Sequence, residues 1–597
     1  MIGGDNVSVQ EVNKDSSKAS NYKAIYTTAD AMLETLQEIG VKYIFANLGS
    51  DHPAIIESFA KAKLEDKNTP QVITCPHEFV AMSAAHGYAM LTGEPQAVIV
   101  HVDCGTQNLG GAIHNAAKAR IPILIFAGTS PATQEGELKG SRNEYIHWLQ
   151  DSFDQRGIVR GYAKYDNEIR TGKNVKQMVT RAIQIAKSDP KGPAYLMAAR
   201  EVMEEEIDPY EIDLKRWGCI SPSAIPDDRI QEIAGRLLKA EKPLIVTSYV
   251  GRNQRSVQQL IKLSERLAIP VLESVPSYMN FPSDHPMHIG YTWNEPHQNK
   301  HLEDADFILV VDSDVPWIPF KNKPSENSEI IIIDIDPLKE KIPLWYIPAE
   351  GFFKADSFIA LSQINSCINK HQRLIDESSV SNRYKAISKI HKAQRLEWEA
   401  MEYPGEESAI TPQMLTGCLR EVLNDEDIVI SEAITNFSTV TRHLPRNKPG
   451  TYFSPGASSL GWSGGAAFGA KLAAPDKLVV ALTGDGSFMF SNPTPLHWMS
   501  GKYKTPFLTI IYNNEGWTAP KLSTLGVHPN GIAQQTDEFF VKFNPAARYA
   551  DIAKSAGGTF AFIVERPKEL KDTLLKAIHA VKYEGKSAVV DVRLPPG

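Results

Sequence analysis

The sequence predicts an α/β protein of three doubly wound domains, each with a parallel sheet. Apolar runs of strand length, rich in β-branched residues, recur along the chain, as in Gln71-Val72-Ile73-Thr74, Phe307-Ile308-Leu309-Val310-Val311 and Leu478-Val479-Val480-Ala481-Leu482. Helix-patterned stretches separate them, and that alternation implies crossover connections and parallel strands. At 597 residues the chain is too long for one core, and a prior of about 150 residues per domain gives three or four.

The elements begin near Ala24. Thr28 or Asp30 is the expected cap of a helix that carries Leu33, Leu36 and Ile39 and closes at Gly40. Tyr43-Ile44-Phe45 is a short strand leading into the loop Asn47-Leu48-Gly49-Ser50-Asp51-His52-Pro53. The strand at 71–74 runs into Pro76-His77-Glu78. Glu78 opens a helix whose small residues (Ala81, Ala84, Ala85, Gly87, Ala89) suit close packing. Strands at 97–100 and 122–128 follow, with His101-Val102-Asp103-Cys104-Gly105-Thr106-Gln107-Asn108 and a small-residue helix between them. This unit ends near Ala199. Residues 202–225, acidic and then Pro- and Ser-containing, read as a linker. A second unit has strands at 243–246, 270–272, 307–311 and 330–334, and 371–408 reads as a charged helical connector. The third unit starts near Ile410 and shares the strand–loop–helix rhythm of the first. The expected division is a disordered tail over 1–22 and domains over 23–201, 226–370 and 409–597.

Composition excludes several classes. The formal net charge is −8 with no long basic run, so nucleic acid is not an expected partner. Five scattered cysteines without CxxC spacing fit reduced thiols, and neither a disulfide framework nor a zinc site. No apolar stretch reaches transmembrane length, and the polar start carries no signal-like h-region, so the expected location is the cytoplasm, away from membranes.

Two stretches of the third unit carry the chemistry. Gly484-Asp485-Gly486-Ser487 follows one apolar run, and Asn513-Asn514-Glu515-Gly516 follows another at 506–512. Gly484 and Gly486 let the backbone turn sharply and approach a ligand, and Asp485 is a hard oxygen donor suited to Mg²⁺. Two strand ends that each present an oxygen ligand describe a metal–phosphate site at the carboxyl edge of a parallel sheet.

This arrangement resembles the GDG…NN signature of thiamine diphosphate (ThDP) enzymes, although the 29 positions from Asp485 to Asn514 make a slightly longer spacing than is usual. The three units resemble the pyrimidine-binding, central and diphosphate-binding domains of the decarboxylase and acetolactate synthase superfamily, over nearly the whole chain from residue 24. The resemblance implies ThDP and Mg²⁺ as cofactors. Asp485, the Asn514 side chain and the Gly516 carbonyl would hold the ion, with Asn513 as the rival ligand. Gly484, Gly486, Ser487, Thr435 and Asn436 would lie at the diphosphate. The Ser458 carbonyl and the Leu460 N–H would grip the aminopyrimidine, and the Leu460 side chain would be the wedge that bends the cofactor.

Glu78, in the pattern H-E-x2-A-x3-A-x-G-Y-A, resembles the family's catalytic glutamate. Its carboxyl group would protonate the pyrimidine ring nitrogen, and the resulting imino form would deprotonate the thiazolium carbon to an ylid. On the substrate side the motifs are closest to benzoylformate decarboxylase. Gly49-Ser50 resembles its PGS element, His101-x3-Gly105-Thr106-x-Asn108 its H-x3-G-T-x-N, and His285 its F-P-x-x-H-P. Ser50, His101 and His285 are therefore the expected substrate-facing residues, with His52 and His77 as spare candidates. The adjacent histidine pair of pyruvate decarboxylase is absent. Acetolactate synthases also bind FAD, but Leu149-Gln150-Asp151-Ser152-Phe153-Asp154-Gln155-Arg156 departs from their G-T-D-A-F-Q-E segment. Tyr249-Val250-Gly251-Arg252-Asn253 likewise replaces a glycine-rich loop, so FAD is not expected.

The leading expectation is a ThDP- and Mg²⁺-dependent lyase or carboligase acting on 2-oxo acids, with an aldehyde as an optional acceptor. An acetolactate synthase-like carboligase is the alternative, and a catalytically silent regulatory homologue is the alternative of another class. Intact Glu78, Asp485 and Asn514 argue against the last. A homodimer or homotetramer is expected, because in the family the cofactor spans two subunits.

Overall fold

The computed structural model describes residues 25–295, 297–403 and 409–596. The expected tail over 1–22 lies outside the described residues. Those described form three six-stranded sheets, each parallel throughout. The first contains β1 (Tyr43–Ala46), β2 (Gln71–Thr74), β3 (Gln96–Val100), β4 (Ile123–Thr129), β5 (Tyr165–Ile169) and β6 (Ala194–Ala199), in the order β2-β1-β3-β4-β6-β5. The second contains β7 (Pro243–Thr247), β8 (Val271–Ser274), β9 (His288–Thr292), β10 (Phe307–Val311), β11 (Glu329–Asp334) and β12 (Gly351–Lys354), in the order β12-β11-β10-β7-β8-β9. The third contains β13 (Ile428–Glu432), β14 (Tyr452–Phe453), β15 (Val479–Gly484), β16 (Leu508–Asn513), β17 (Phe560–Val564) and β18 (Ala588–Arg593), in the order β14-β13-β15-β16-β18-β17. The first and third sheets thus repeat one topology, and the central sheet has another.

The first helix, Thr28–Ile39, starts one residue earlier than the expected caps. Thr27 is the cap: its side chain accepts from the Asp30 N–H, and Asp30 returns the bond to the Thr27 N–H. Gly40 closes the helix in the left-handed conformation (φ 94°), as expected.

A pair of small-residue helices joins the outer sheets. Helix Glu78–Thr92 packs on helix Trp462–Ala473 so closely that side chains are excluded from the seam. A Cβ on Gly469 would lie 1.9 Å from the Ala84 carbonyl oxygen, and one on Gly87 would lie 2.2 Å from that of Ala466. Val80, Ala84, Trp462, Ala466 and Phe468 belong to one continuous core that reaches Val98 in the first sheet and Val479 in the third. The expected connector is helical over Glu377–Ala400. Among the described residues, no helix is long and apolar enough to cross a membrane.

Candidate active site

The candidate residues gather at the carboxyl ends of the outer sheets. Asp485 directly follows β15, at the start of helix Asp485–Phe490, and is buried. Its Oδ1 accepts from the Gly486 N–H at 2.7 Å and its Oδ2 from the Gly516 N–H at 2.9 Å. Burial pushes its carboxyl up to about 6, against the pull of these N–H groups. Gly486 has no room for a side chain, since a Cβ would sit 2.2 Å from the Trp517 indole nitrogen; a Cβ on Gly516 would sit 2.3 Å from the Val541 carbonyl. The Asn514 amide donates to Thr518 Oγ1 at 2.5 Å, which leaves its carbonyl oxygen as the free end. Asn513 is no rival ligand. It is wholly buried, donates to Asp591 Oδ1 at 2.7 Å and accepts from the Glu515 N–H at 3.2 Å.

The loop before helix Trp462–Ala473 is held by a residue that the sequence reading passed over. Glu432 ends β13, fully buried. Its Oε1 accepts from the N–H groups of Gly461 (2.7 Å) and Trp462 (3.2 Å), and its Oε2 from that of Ser463 (2.8 Å). Burial pushes its carboxyl up to about 7. An acid closing an otherwise apolar strand was the available signal, because such a group requires buried donors. On the same loop the Ser459 N–H and C=O both bond the Asn115 carboxamide, at 3.0 and 2.9 Å. Ser458 is exposed and Leu460 half-buried beside it; Thr435 is exposed and Asn436 half-buried after β13.

In the first domain the H-x3-G-T-x-N motif has a physical reading. It forms the turn after β3 and the short helix Val102–Asn108. At its far end the Asn108 amide donates to Glu78 Oε2 at 2.5 Å. A Cβ on Gly105 would already lie 3.2 Å from Glu78 Oε1, so glycine leaves room for the carboxylate. Thr106 Oγ1 donates to the Val102 carbonyl at 2.6 Å and meets Tyr195 OH at 2.8 Å. At its near end His101 Nδ1 lies 2.5 Å from Asp51 Oδ1, and this bond holds His101 above the usual imidazole range. One short helix therefore ties Glu78 and His101 together. Ser50 stands nearby in sequence with its Oγ buried and unpartnered.

Within the chain His285 lies apart from this group. Its Nε2 lies 3.3 Å from Glu265 and its Nδ1 accepts from the Met287 N–H at 3.1 Å. Its ring packs on Phe281, 4.8 Å away. These partners all belong to the central domain. His52 is buried, with its Nδ1 accepting from the Gly49 N–H and its Nε2 unpartnered, and His77 caps the Glu78 helix through the Phe79 N–H. Among the described residues, no hydrogen bond or ion pair links Glu78 or His101 to Asp485 or Asn514.

The central sheet has the strand order in which dinucleotides bind at the switch point, here between β7 and β10. Protein side chains fill that crevice. The wholly buried Lys339 ammonium lies 2.6 Å from Asp334 Oδ2, 3.0 Å from Asp314 Oδ1 and 2.9 Å from the Tyr249 hydroxyl. Arg120 reaches across from the first domain, makes a two-pronged bond to Asp314 (3.0 and 2.7 Å) and stacks over the Tyr249 ring. Asp312 at the end of β10 faces Arg252 at 3.8 Å. A Cβ on Gly251 would meet the Met279 carbonyl at 2.2 Å, so the loop is already packed. The crevice does not fit FAD.

The outer sheets do fit ThDP and Mg²⁺. The donors at Asp485, Asn514 and Gly516 are all hard oxygens, and a Mg²⁺ site of this kind completes its shell with phosphate and water oxygens. Among the described residues, no cluster of three His, Cys, Asp or Glu side chains offers a competing metal site.

Comparison with known proteins agrees. The N-terminal TPP binding domain of thiamine pyrophosphate enzymes matches residues 26–158, the central domain 230–342 and the C-terminal TPP binding domain 433–592. The chain is 24% identical to acetolactate synthase of Bacillus subtilis (strain 168), over 92% of this chain and 91% of that protein. It is 23% identical to benzoylformate decarboxylase of Pseudomonas aeruginosa, over 82% and 86%. In fold it is similar to the crystal structure of benzoylformate decarboxylase from Polynucleobacter necessarius, with a TM-score of 0.76 at 21% identity, covering 96% of this chain and 100% of that one. With three domain matches in the family's order, on three parallel sheets whose outer pair carries the expected oxygen donors, the chain belongs to the thiamine pyrophosphate enzymes, in the superfamily of acetolactate synthase and benzoylformate decarboxylase.

Proposed function

We propose that the protein is a ThDP- and Mg²⁺-dependent lyase that removes the carboxylate of a 2-oxo acid and releases an aldehyde. The observation that carries this reading is the short helix with Glu78 bonded at one end and His101 at the other. When bound, ThDP supplies a nucleophilic carbon and an electron sink for decarboxylation. Asp485, the Asn514 carbonyl oxygen and the Gly516 carbonyl would hold Mg²⁺ at the diphosphate. Asn108 occupies Glu78 Oε2, which leaves Oε1 to exchange a proton with the cofactor's pyrimidine nitrogen. The unpartnered Ser50 hydroxyl receives the substrate carboxylate. His101 gives a proton to the former carbonyl carbon after the carboxylate leaves, the step that separates a decarboxylase from a ligase.

A homodimer or homotetramer belongs to this reading. Glu78 and Asp485 lie in different domains of one chain without a bond between them, as suits a cofactor bound between two subunits. An active monomer by light scattering would overturn it. The cytoplasm is the proposed location.

The direct test is to incubate the protein with ThDP, Mg²⁺ and a panel of 2-oxo acids and to identify products by mass spectrometry. Aldehyde is expected, and His101→Ala should slow its release by about 10²–10⁴-fold. Condensation of two 2-oxo acids without aldehyde would replace this reading with the carboligase one, which the acetolactate synthase relative favours.

A further inference from the structure

His101 stands in a nest built around a second residue, Asp51. The Asp51 side chain lies in the turn after β1 with no solvent exposure. Its Oδ1 is 2.5 Å from His101 Nδ1, and its Oδ2 accepts from the Val102 N–H at 3.1 Å. Two glycines on separate strand ends make the space. A Cβ on Gly49 would fall 2.1 Å from His101 Nδ1, and one on Gly128 would fall 1.9 Å from Asp51 Oδ2. Val102, which supplies the N–H, takes a φ of 20°, which a β-branched residue adopts only when its surroundings impose it.

The proton between the two side chains can be placed. His52 Nδ1 also lies near Asp51, at 3.2 Å. That nitrogen accepts from the Gly49 N–H at 3.0 Å, so it carries a lone pair and donates nothing to Asp51. Burial also holds His52 below the usual imidazole range. The only histidine proton available to Asp51 Oδ1 is therefore the one on His101 Nδ1. Among the described residues, His101 Nε2 makes no hydrogen bond of good geometry, although the Gln150 carboxamide is close enough to the ring to favour its protonated form.

We propose that Asp51 is the positioning residue of His101: its buried carboxylate fixes the proton on Nδ1 and reserves Nε2 for exchange with the substrate. The arrangement follows the general logic by which a buried carboxylate sets the tautomer of an imidazole acid–base group. The other groups facing the pair are His52, Asp103, His147, Tyr195 and the buried Gln150 carboxamide, which makes no hydrogen bond of good geometry. None of these makes a hydrogen bond of good geometry to Nδ1, which Asp51 occupies.

This inference rests on the reading of His101 as a proton donor, and its test separates the two. Asp51→Asn keeps an oxygen acceptor but removes the charge. In full-length protein carrying ¹³C-labelled histidine, the His101 titration midpoint should move to lower pH, and His52, which also faces the Asp51 charge, should move the same way. With ThDP, Mg²⁺ and substrate, kcat should fall by about 10²-fold or more with little change in KM. The alkaline loss of activity should move to lower pH, because the weaker imidazolium loses its proton earlier. An unmoved His101 midpoint would overturn the proposal. A moved midpoint with unchanged turnover would support the Asp51 assignment and overturn the role of His101 in the reaction. If Asp51→Asn does not fold, Asp51→Ser also leaves a neutral group at Nδ1 in a smaller side chain, and is read in the same way.

Discussion

The outer and central sheets end alike, in polar side chains at the carboxyl edge of a parallel sheet, yet the central crevice is closed by charged side chains paired with one another, even though the buried Asp312 and Thr247 oxygens there make no hydrogen bond. In the first domain the Ser50 hydroxyl and the Gln150 carboxamide are buried without partners, and in the third Asp485 is answered only by backbone N–H groups. In the central sheet Lys339, Asp334, Asp314, Tyr249 and Arg120 close on one another. A strand-end crevice comes with the α/β architecture. Whether it is a site depends on whether its polar groups already satisfy each other. The central crevice has become a joint between domains, since Arg120 comes from the first and its partners from the second.

The contrast can be broken by substitution. Lys339→Ala removes the buried cation between the buried Asp334 and the half-buried Asp314 carboxylates and should cost about 3–5 kcal/mol of stability, the range for breaking a buried pair. Measured by denaturant unfolding, this loss should come with unchanged turnover per folded molecule. A stable variant with lost activity would mean that the central crevice is itself functional. Flavin added to the parent protein should show no change in its absorbance or fluorescence.

Gly469→Ala comes next. It drives a methyl group into the Ala84 carbonyl across the seam that joins the outer sheets, and should destabilise by about 3 kcal/mol, the upper end of overpacking. A neutral result in thermal unfolding would mean that the two helices separate easily.

Glu432→Gln should cost less, about 1 kcal/mol at neutral pH, because one of its three N–H donors loses its acceptor. The pH dependence carries a sign. Glu432 titrates at about 7 in the folded chain and near 4.3 when unfolded, so the folded state binds more protons between those values. Its contribution to stability is therefore greatest at low pH and falls as pH rises through that window. The variant should lose this part of the slope, and identical slopes would refute the assignment. The smallest effect is expected from His285→Ala, whose turnover should stay within about 0.5 kcal/mol of the parent, as for substitutions remote from a site.

Much of this was legible in the chain. Apolar β-branched runs marked β7, β10, β11, β15 and β16, because strands buried on both faces are apolar throughout. Strands β5, with its Tyr-Asp-Asn-Glu-Ile sequence, and the two-residue β14 carry no such run and were missed, and β6, β9, β12, β13, β17 and β18 were not named either. Asp485 and Asn514 were singled out as candidates by the spacing of their motifs, and Glu78 by the resemblance of its pattern to the family's. Asp51 and Glu432 escaped because their partners lie about 50 and 30 residues away. Their meaning is a buried hydrogen-bond network, which spacing does not encode. The His285 motif is local and complete, and within the chain its ring nitrogens bond groups of its own domain.

The central claim is that the outer sheets bind ThDP with Mg²⁺ and that the central sheet only supports them. Calorimetric titration of ThDP in the presence of Mg²⁺, into the parent, Asp485→Ala and Lys339→Ala proteins at a temperature where all are folded, tests it most directly. The account predicts one ThDP per chain in the parent and in Lys339→Ala, and no measurable binding in Asp485→Ala. Undiminished affinity in Asp485→Ala, or binding lost in folded Lys339→Ala, would contradict it.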